Sequence, residues 1–228
     1  MEIISTPPLS VSENMEKSWL LLNSLKEQPR CILHFYEWRT KAATFGYFTD
    51  PGKFLNLVAV EKEGIDLARR PTGGGILFHL TDLAFAFYLP ANHPRFSLNT
   101  LDNYRSVNGA LLDALHPWRG ALELLKDETI PQDLPSSHFC MAKPTRYDVV
   151  INGLKVAGGA QRRIQGGILH QGSIHLRALP KTLLDQILLP GTCVAEAMER
   201  YSAPDLEIDR AALKKAIVNG FKRMFTKL

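Results

Sequence analysis

The chain has only three cysteines among its 228 residues, and Cys31, Cys140 and Cys193 share no close spacing. That excludes a disulfide framework and a cysteine-based zinc cluster, and it leaves three free thiols. No apolar run approaches the roughly 18–20 residues of a membrane span. The amino end, MEIISTPPLSVSENMEK, has neither a basic start with an apolar core nor an arginine-rich, acid-poor character. A soluble, cytoplasmic protein with no membrane role is the expectation. No internal repeat, low-complexity tract or long Pro/Gly/Ser linker divides the chain, so residues 1–228 read as one domain. The formal charge of +4 suits an acidic partner, yet the lysines and arginines are scattered rather than gathered in a stripe with interleaved aromatics. That distribution speaks against nucleic acid as a partner.

What the sequence does contain is a mixture of two periodicities. Ser10 and Glu13 have the spacing of a capping box, and Met15, Trp19 and Leu22 follow at helical intervals up to about Gln28. A second helical stripe, Leu101, Tyr104, Val107, Leu111 and Ala114, follows Asn99-Thr100 and stops at Pro117. A third closes the chain, with Asp209 as cap and Leu213, Ile217 and Phe221 on one face. Between them lie strand-like runs: CILHFYEW, NLVAVEKE, GGILFHL, LAFAFYL, RYDVVI, LKVAGGA and GILHQGSIHL. Asn152-Gly153 joins two of these as a tight hairpin, because both residues tolerate positive φ. Short connections between strands, with helices inserted at intervals, predict an α+β (mixed α/β) domain rather than a doubly wound parallel sheet.

Several segments could carry chemistry. RRPTGGGILFH, Arg69 to His79, sets two arginines beside three contiguous glycines, whose bare N–H groups can meet a carboxylate or phosphate. It is neither a dinucleotide fingerprint, since a strand follows, nor a Walker loop, since no lysine stands at the required place. From spacing alone it is a turn or a binding loop. In LAFAFYL, Leu83, Phe85, Phe87 and Leu89 share one face, and Ala84, Ala86 and Tyr88 the other, whose small residues leave room for a thin apolar ligand or a packed helix. Lys155 projects from the face opposite Leu154 and Val156, just before Gly158-Gly159. His170 and His175 have no cysteine or carboxylate at ligand spacing, so they read as structural, and no metal is expected. Cys140 sits in the polar loop SSHFCMAKPTRYD, near His138, Lys143 and Arg146, which could stabilise a thiolate. Cys31 and Cys193 fit an inert reading.

Taken together, four blocks resemble a known family. RRPTGGGILFH is similar to the arginine and glycine block of the lipoate-protein ligase and octanoyltransferase family. YDVVINGLKVAGGAQRR resembles the segment around its active-site lysine, and HFYEWRTKAATFGYF and ILHQGSIHL resemble its other two recurring blocks, in order from about residue 16 to 176. The resemblance implies a central mixed, largely antiparallel sheet flanked by helices, a tunnel for an eight-carbon chain, and acyl transfer to one lysine of a lipoyl domain. It places Arg70, Gly73, Gly74, Gly75 and His79 on the acyl pocket, Lys155 beside the reacting carbonyl, and Gly158, Ala160 and Gly172 in the surrounding backbone. The large ligases carry an accessory domain of which only a short helical extension fits after about residue 190.

The family divides by mechanism. Ligases make an acyl-adenylate with ATP and Mg. Transferases need neither, and take octanoate from acyl carrier protein or another lipoyl domain through an acyl-cysteine. Cys140, seven residues before Tyr147, matches the cysteine of the Gram-positive transferase type. Tyr147-Asp148 stands where many ligases have Asn-Asp, and His170-Gln171-Gly172-Ser173 replaces their double-histidine segment. The sequence departs from the family at Leu80, where Asp commonly follows the histidine, at Gly159 for Ser, and at Met141 for Phe. Expected acceptors are the lipoyl domains of 2-oxoacid dehydrogenases or the glycine cleavage H protein. Three readings are thus set out: a transferase through acyl-Cys140, an ATP-dependent lipoate ligase acting through lipoyl-adenylate on Lys155, and a non-catalytic lipoyl-domain or acyl-binding protein.

Overall fold

The computed structural model describes residues 1–118, 121–128, 130–131 and 133–226. Strand β1 (Glu2–Ser5) leads into helix α1 (Val11–Ser24), followed by β2 (Ile32–Phe35), β3 (Lys41–Phe45) and α2 (Leu57–Lys62). Next come β4 (Ile65–Arg69), β5 (Ile76–His79), β6 (Asp82–Pro90) and α3 (Thr100–Leu115). The chain continues through β7 (Leu122–Leu124), β8 (Val149–Ile151), β9 (Leu154–Ile164) and β10 (Gly167–His175), then α4 (Lys181–Ile187), α5 (Val194–Tyr201) and α6 (Arg210–Phe225). Seven strands form one sheet in the order β1-β2-β6-β10-β9-β8-β7, antiparallel except for the β1–β2 pair. A second sheet, β4-β3-β5, has one parallel and one antiparallel pair. The mixed, largely antiparallel α+β class is the one expected; the smaller sheet is an addition.

The alternation in β6 sorts the layers. Leu83, Phe85, Phe87 and Leu89 pack against α3 and α6 in the main core, which includes Val107 and Leu111 from one helix and Leu213, Ile217 and Phe221 from the other. Each such side chain contributes about 1.5–3 kcal/mol when fully buried. Ala84, Ala86 and Tyr88 face the other way, toward Val11, Met15 and Leu22 of α1. The small sheet lies on this second side and has its own core with α4 and α5. The two sheets therefore enclose a space floored by alanines.

Local chemistry sets the element ends. The Ser10 hydroxyl accepts from the Glu13 N–H (3.2 Å) while the Ser10 N–H donates to the Glu13 carboxylate (2.8 Å), closing the capping box on α1. Asn99 caps α3 through the Leu101 N–H, and Asp209 caps α6 through the Ala212 N–H. Asn152 (φ 50°) and Gly153 (φ 78°) form the β8–β9 hairpin turn. One strand expectation fails: NLVAVEKE forms α2. The Asn56 side chain accepts from the Ala59 N–H (3.2 Å) and starts a helix, of which only Val60 is buried. The strand comes after it, at β4, beyond the left-handed Gly64. The short helices α4 and α5 also went unread, because neither is long enough for a repeating stripe.

Candidate active site

Between the alanine face of the large sheet and the small sheet lies a cavity of about 250 Å³. That is just below the roughly 300–1,000 Å³ of ordinary small-molecule sites, which suits a slender ligand. Met15, Tyr36, Trp38 and Ala84 form its apolar side. The ten candidate residues, Arg70, Gly73, Gly74, Gly75, His79, Cys140, Lys155, Gly158, Ala160 and Gly172, all line it. Gly172 does so with its backbone only, since a Cβ there would enter the ring of Phe85 on the far side of the sheet.

The glycine run brings two loops together. Gly74 has φ +83°, a conformation that L side chains rarely adopt. A Cβ on Gly75 would collide with the His138 carbonyl, so bare backbone here lets the cysteine loop approach. The Cys140 N–H donates to the Ile76 carbonyl (3.0 Å), pinning the half-buried cysteine to the start of β5.

Arg70 is buried at 4% exposure. Its guanidinium donates to the Gly73 carbonyl through Nε (3.1 Å) and Nη2 (2.8 Å), to the Thr44 carbonyl (3.3 Å) and Thr44 Oγ1 (3.2 Å) through Nη1, and toward Cys140 Sγ through Nη2 (3.7 Å). None of these partners is a carboxylate. Among the described residues the hydrogen-bond partners of Arg70 are all neutral, and a buried charge left unpaired is costly until a counter-charge arrives. The loop cations named from the sequence do not fill this place: His138 stacks on Phe54 (4.4 Å), Arg146 lies over Tyr147 (5.2 Å) and Lys143 reaches Glu128 (3.7 Å).

Lys155 is also buried, at 5% exposure. Its Nζ pairs with Asp148 Oδ2 (2.7 Å) and donates to the Cys140 carbonyl (2.9 Å). The same carboxylate oxygen accepts from the Thr145 N–H (2.7 Å) and hydroxyl (3.0 Å), which fixes it. A register shift between β8 and β9 places Val156 and Ala157 together in the main core, so Lys155 and Gly158 both face the cavity. Bulges re-aim side chains in this way. Gly158 is bare where a Cβ would overlap Asp148 and the Lys155 side chain.

A hydrogen-bonded chain runs from Arg70 into the protein. Arg70 Nη1 meets Thr44 Oγ1, Thr44 Oγ1 meets His79 Nε2 (3.0 Å), and His79 Nδ1 meets Asp82 Oδ2 (2.8 Å). Ser173 Oγ donates to the same Asp82 oxygen (2.5 Å). A guanidinium can only donate and a carboxylate can only accept. In the neutral ring, therefore, the Thr44 hydroxyl donates to Nε2 and Nδ1–H donates to Asp82. Trp38 stacks on the His79 ring (4.7 Å) and fixes its plane. Asp82 thus gives His79 a carboxylate partner even though Leu80 stands where the family has Asp.

Other polar groups wall the cavity. Gln171 accepts from Thr72 Oγ1 (2.8 Å) and donates to Tyr36 OH (3.0 Å), whose pKa burial pushes up to about 12. Burial, and then the Asp148 carboxylate, push the Tyr104 phenol well above its usual range. His170 lies on the other face of the sheet, stacked near Phe85 and bonded to Gln161 (3.0 Å), and burial pulls its pKa down to about 3. Among the described residues, no group of three or more His, Cys, Asp or Glu side chains is placed to hold a metal. Cys31 is buried, with its thiol pushed up to about 11 by desolvation, and Cys193 is exposed. Thr44 and Asp82 were not singled out from the sequence; Tyr104 read only as part of a helical stripe, and Asp148 and Gln171 only through the blocks compared with those of the ligases.

The fold and this site define a catalytic domain of the protein-lipoylation enzymes. Residues 10–223 match the model of the lipoyl protein ligase A/B catalytic domain, and the chain belongs to that family. It is an enzyme of the octanoyltransferase and lipoate ligase group. Octanoyltransferase LipM of Bacillus cereus is 31% identical, over 98% of this chain and 84% of that protein. A lipoate-protein ligase A bound with ATP shares the fold with TM-score 0.75 at 20% identity, covering 99% of this chain and 86% of its own. A bi-partite lipoate protein ligase from Thermoplasma acidophilum, solved in a study with its E2 lipoyl domain, gives TM-score 0.73 at 21% identity, covering 99% and 83%. No helix among the described residues is long and apolar enough to cross a membrane.

Proposed function

We propose that the chain, acting as one catalytic unit, transfers an octanoyl or lipoyl group to a lysine of a lipoyl domain through an acyl-Cys140 intermediate. The observation that carries this reading is the placing of the Cys140 thiol against the buried Arg70 guanidinium, 3.7 Å from Nη2, at the mouth of an apolar cavity. Cys140 Sγ attacks the carbonyl carbon of a donor thioester and forms a new thioester, while the donor sulfur leaves and takes up the cysteine proton. The acceptor amine then attacks that carbonyl; the C–S bond breaks, an amide forms, and the proton lost by nitrogen returns to the Cys140 sulfur. Dividing the transfer in this way is what a nucleophilic cysteine offers.

Arg70 holds negative charge as it develops on sulfur, at a position already paired with no other anion. Lys155, fixed by Asp148, holds the Cys140 carbonyl and so sets the position of the nucleophile. Met15, Tyr36, Trp38 and Ala84 receive the apolar chain. The +4 charge favours acidic carriers and lipoyl domains through the rate of encounter. Similarity to LipM supports the transferase direction; similarity to an ATP-bound ligase at 20% identity supports the fold alone.

Incubation with octanoyl carrier protein, without ATP, tests the reading by intact mass. An octanoyl adduct is expected on the wild type and not on Cys140→Ser. ATP-dependent modification of a lipoyl domain by that variant, with no adduct on the wild type, would establish the adenylate route instead.

A further inference from the structure

A second cavity, about 450 Å³, lies against the first, and Leu77, Phe139, Met141 and Ser173 line both. Phe139 and Met141 are the two neighbours of Cys140, so the second space opens on the nucleophile's own loop. Two polar atoms in its walls stand out. Asp82 Oδ1 and His175 Nε2 are buried and have no hydrogen-bond partner among the described residues. Their residues are 8% and 6% exposed. Burial lowers the His175 pKa, which favours a neutral ring, and the Nε2 of a neutral ring can accept. Both orphans can therefore accept; Ile76, Phe78, Leu184 and Met198 supply apolar wall around them, and Lys181 and Glu199 are among the polar residues that also line the space. Leaving buried acceptors unmet is costly, so the cavity suits a guest that brings donors along a partly apolar length.

We propose that this second cavity receives the arm on which the acyl donor carries its thioester: a slender pantetheine-type chain with amide N–H and hydroxyl donors and a terminal sulfur. The proposal rests on the acyl-Cys140 reading. The acyl chain enters the alanine-floored cavity, the carbonyl lies at Cys140, and the leaving sulfur withdraws past Met141 along the arm. Amide and hydroxyl groups of the arm donate to Asp82 Oδ1 and His175 Nε2. Carrier protein and coenzyme A present the same arm and differ only beyond it.

The experiment compares Cys140 acylation by octanoyl carrier protein, octanoyl-coenzyme A and the armless p-nitrophenyl octanoate, read by intact mass over time. His175→Phe removes one acceptor, and Ala178→Trp, at an exposed position on the cavity wall, obstructs the space without touching the core. Each variant should raise the half-saturating concentration of both armed donors about tenfold, as expected for one lost contact. The armless ester should acylate Cys140 at the wild-type rate. If His175→Phe does not fold, Ala178→Trp carries the comparison alone. Equal slowing of all three donors, or no change with any, overturns the arm site while leaving acyl-Cys140 intact. Slowing with carrier protein but not coenzyme A assigns the effect to the carrier surface and also overturns it. No Cys140 adduct from any donor removes both readings together.

Discussion

The Arg70 guanidinium and the Cys140 thiol stand 70 residues apart in sequence and 3.7 Å apart in space. Three features bring them together. The fork of Arg70 is clamped on the Gly73 and Thr44 carbonyls, the bare Gly75 admits the His138 backbone, and the Cys140 N–H is tied to Ile76. The result is a fixed positive charge beside the thiol proposed as nucleophile, which remains partly exposed.

If Arg70 serves the proposed chemistry rather than stability, its variants should separate the two. Arg70→Met removes a buried charge with no carboxylate partner, so the melting temperature should hold or rise. Acylation of Cys140 should fall by about 10²–10³, the loss typical of one preorganised charge donor. Arg70→Lys should recover little, because a lysine cannot reach Gly73, Thr44 and Sγ together. A drop in melting temperature parallel to the loss of activity would contradict this assignment.

The Lys155–Asp148 pair predicts the opposite pattern. Lys155→Met leaves Asp148 buried without its cation and should cost about 3–5 kcal/mol in denaturant unfolding. Adding Asp148→Leu removes the stranded charge and should restore much of that stability. Neither the single nor the double variant should accumulate acyl-enzyme at the wild-type rate, because the Cys140 carbonyl has lost its donor. A double variant that regains acylation along with stability would reduce Lys155 to a structural role.

Much of the site was legible in the sequence because its parts are local. The Asn152-Gly153 turn, the glycine run and the Ser10–Glu13 capping box are short-range signals, and four ordered blocks carried the family resemblance. What was not legible depends on long-range placement. The register shift that turns both Lys155 and Gly158 toward the cavity depends on how β8 meets β9. The substitution of Asp82 for the missing carboxylate at position 80 depends on the turn between β5 and β6. The segment NLVAVEKE carries a strand composition, and a single capping asparagine makes it a helix.

The hydrogen-bonded chain links Asp82 through His79, Thr44 and Arg70 to Cys140, and on the proposed reading Asp82 acts on the cysteine along it. Asp82→Leu removes the acceptor to which Nδ1–H and the Ser173 hydroxyl both donate, so the His79 ring loses the bond that fixes its tautomer. With the proton free to move to Nε2, the ring repels the Thr44 hydroxyl proton and displaces the guanidinium. The acylation rate at saturating p-nitrophenyl octanoate, a donor without an arm, should fall about tenfold or more, with little change in its half-saturating concentration. An unchanged rate would show that the chain ends at Arg70. Imidazole 15N shifts give an independent readout, since the Nδ1–H tautomer should lose its dominance in Asp82→Leu whether or not the rate moves.

His170 sets a pH limit on the fold. Its pKa is about 3 in the folded chain, lowered by burial from an ordinary value near 6.5. Between those values the unfolded chain binds a proton that the folded chain does not, so stability is lost as pH falls from about 6.5 toward 3 and is unaffected above that window. The coupling amounts to about 3–5 kcal/mol in full, on the order of 1.4 kcal/mol for each pH unit. His34, pulled down to about 4 mainly by burial, adds to the same limb. His170→Phe keeps an aromatic ring against Phe85 and removes the titrating group, so it should flatten the acid limb of unfolding free energy against pH while leaving the neutral plateau within about 1–2 kcal/mol. An acid limb that keeps its slope in that variant would show that the destabilisation does not come from His170.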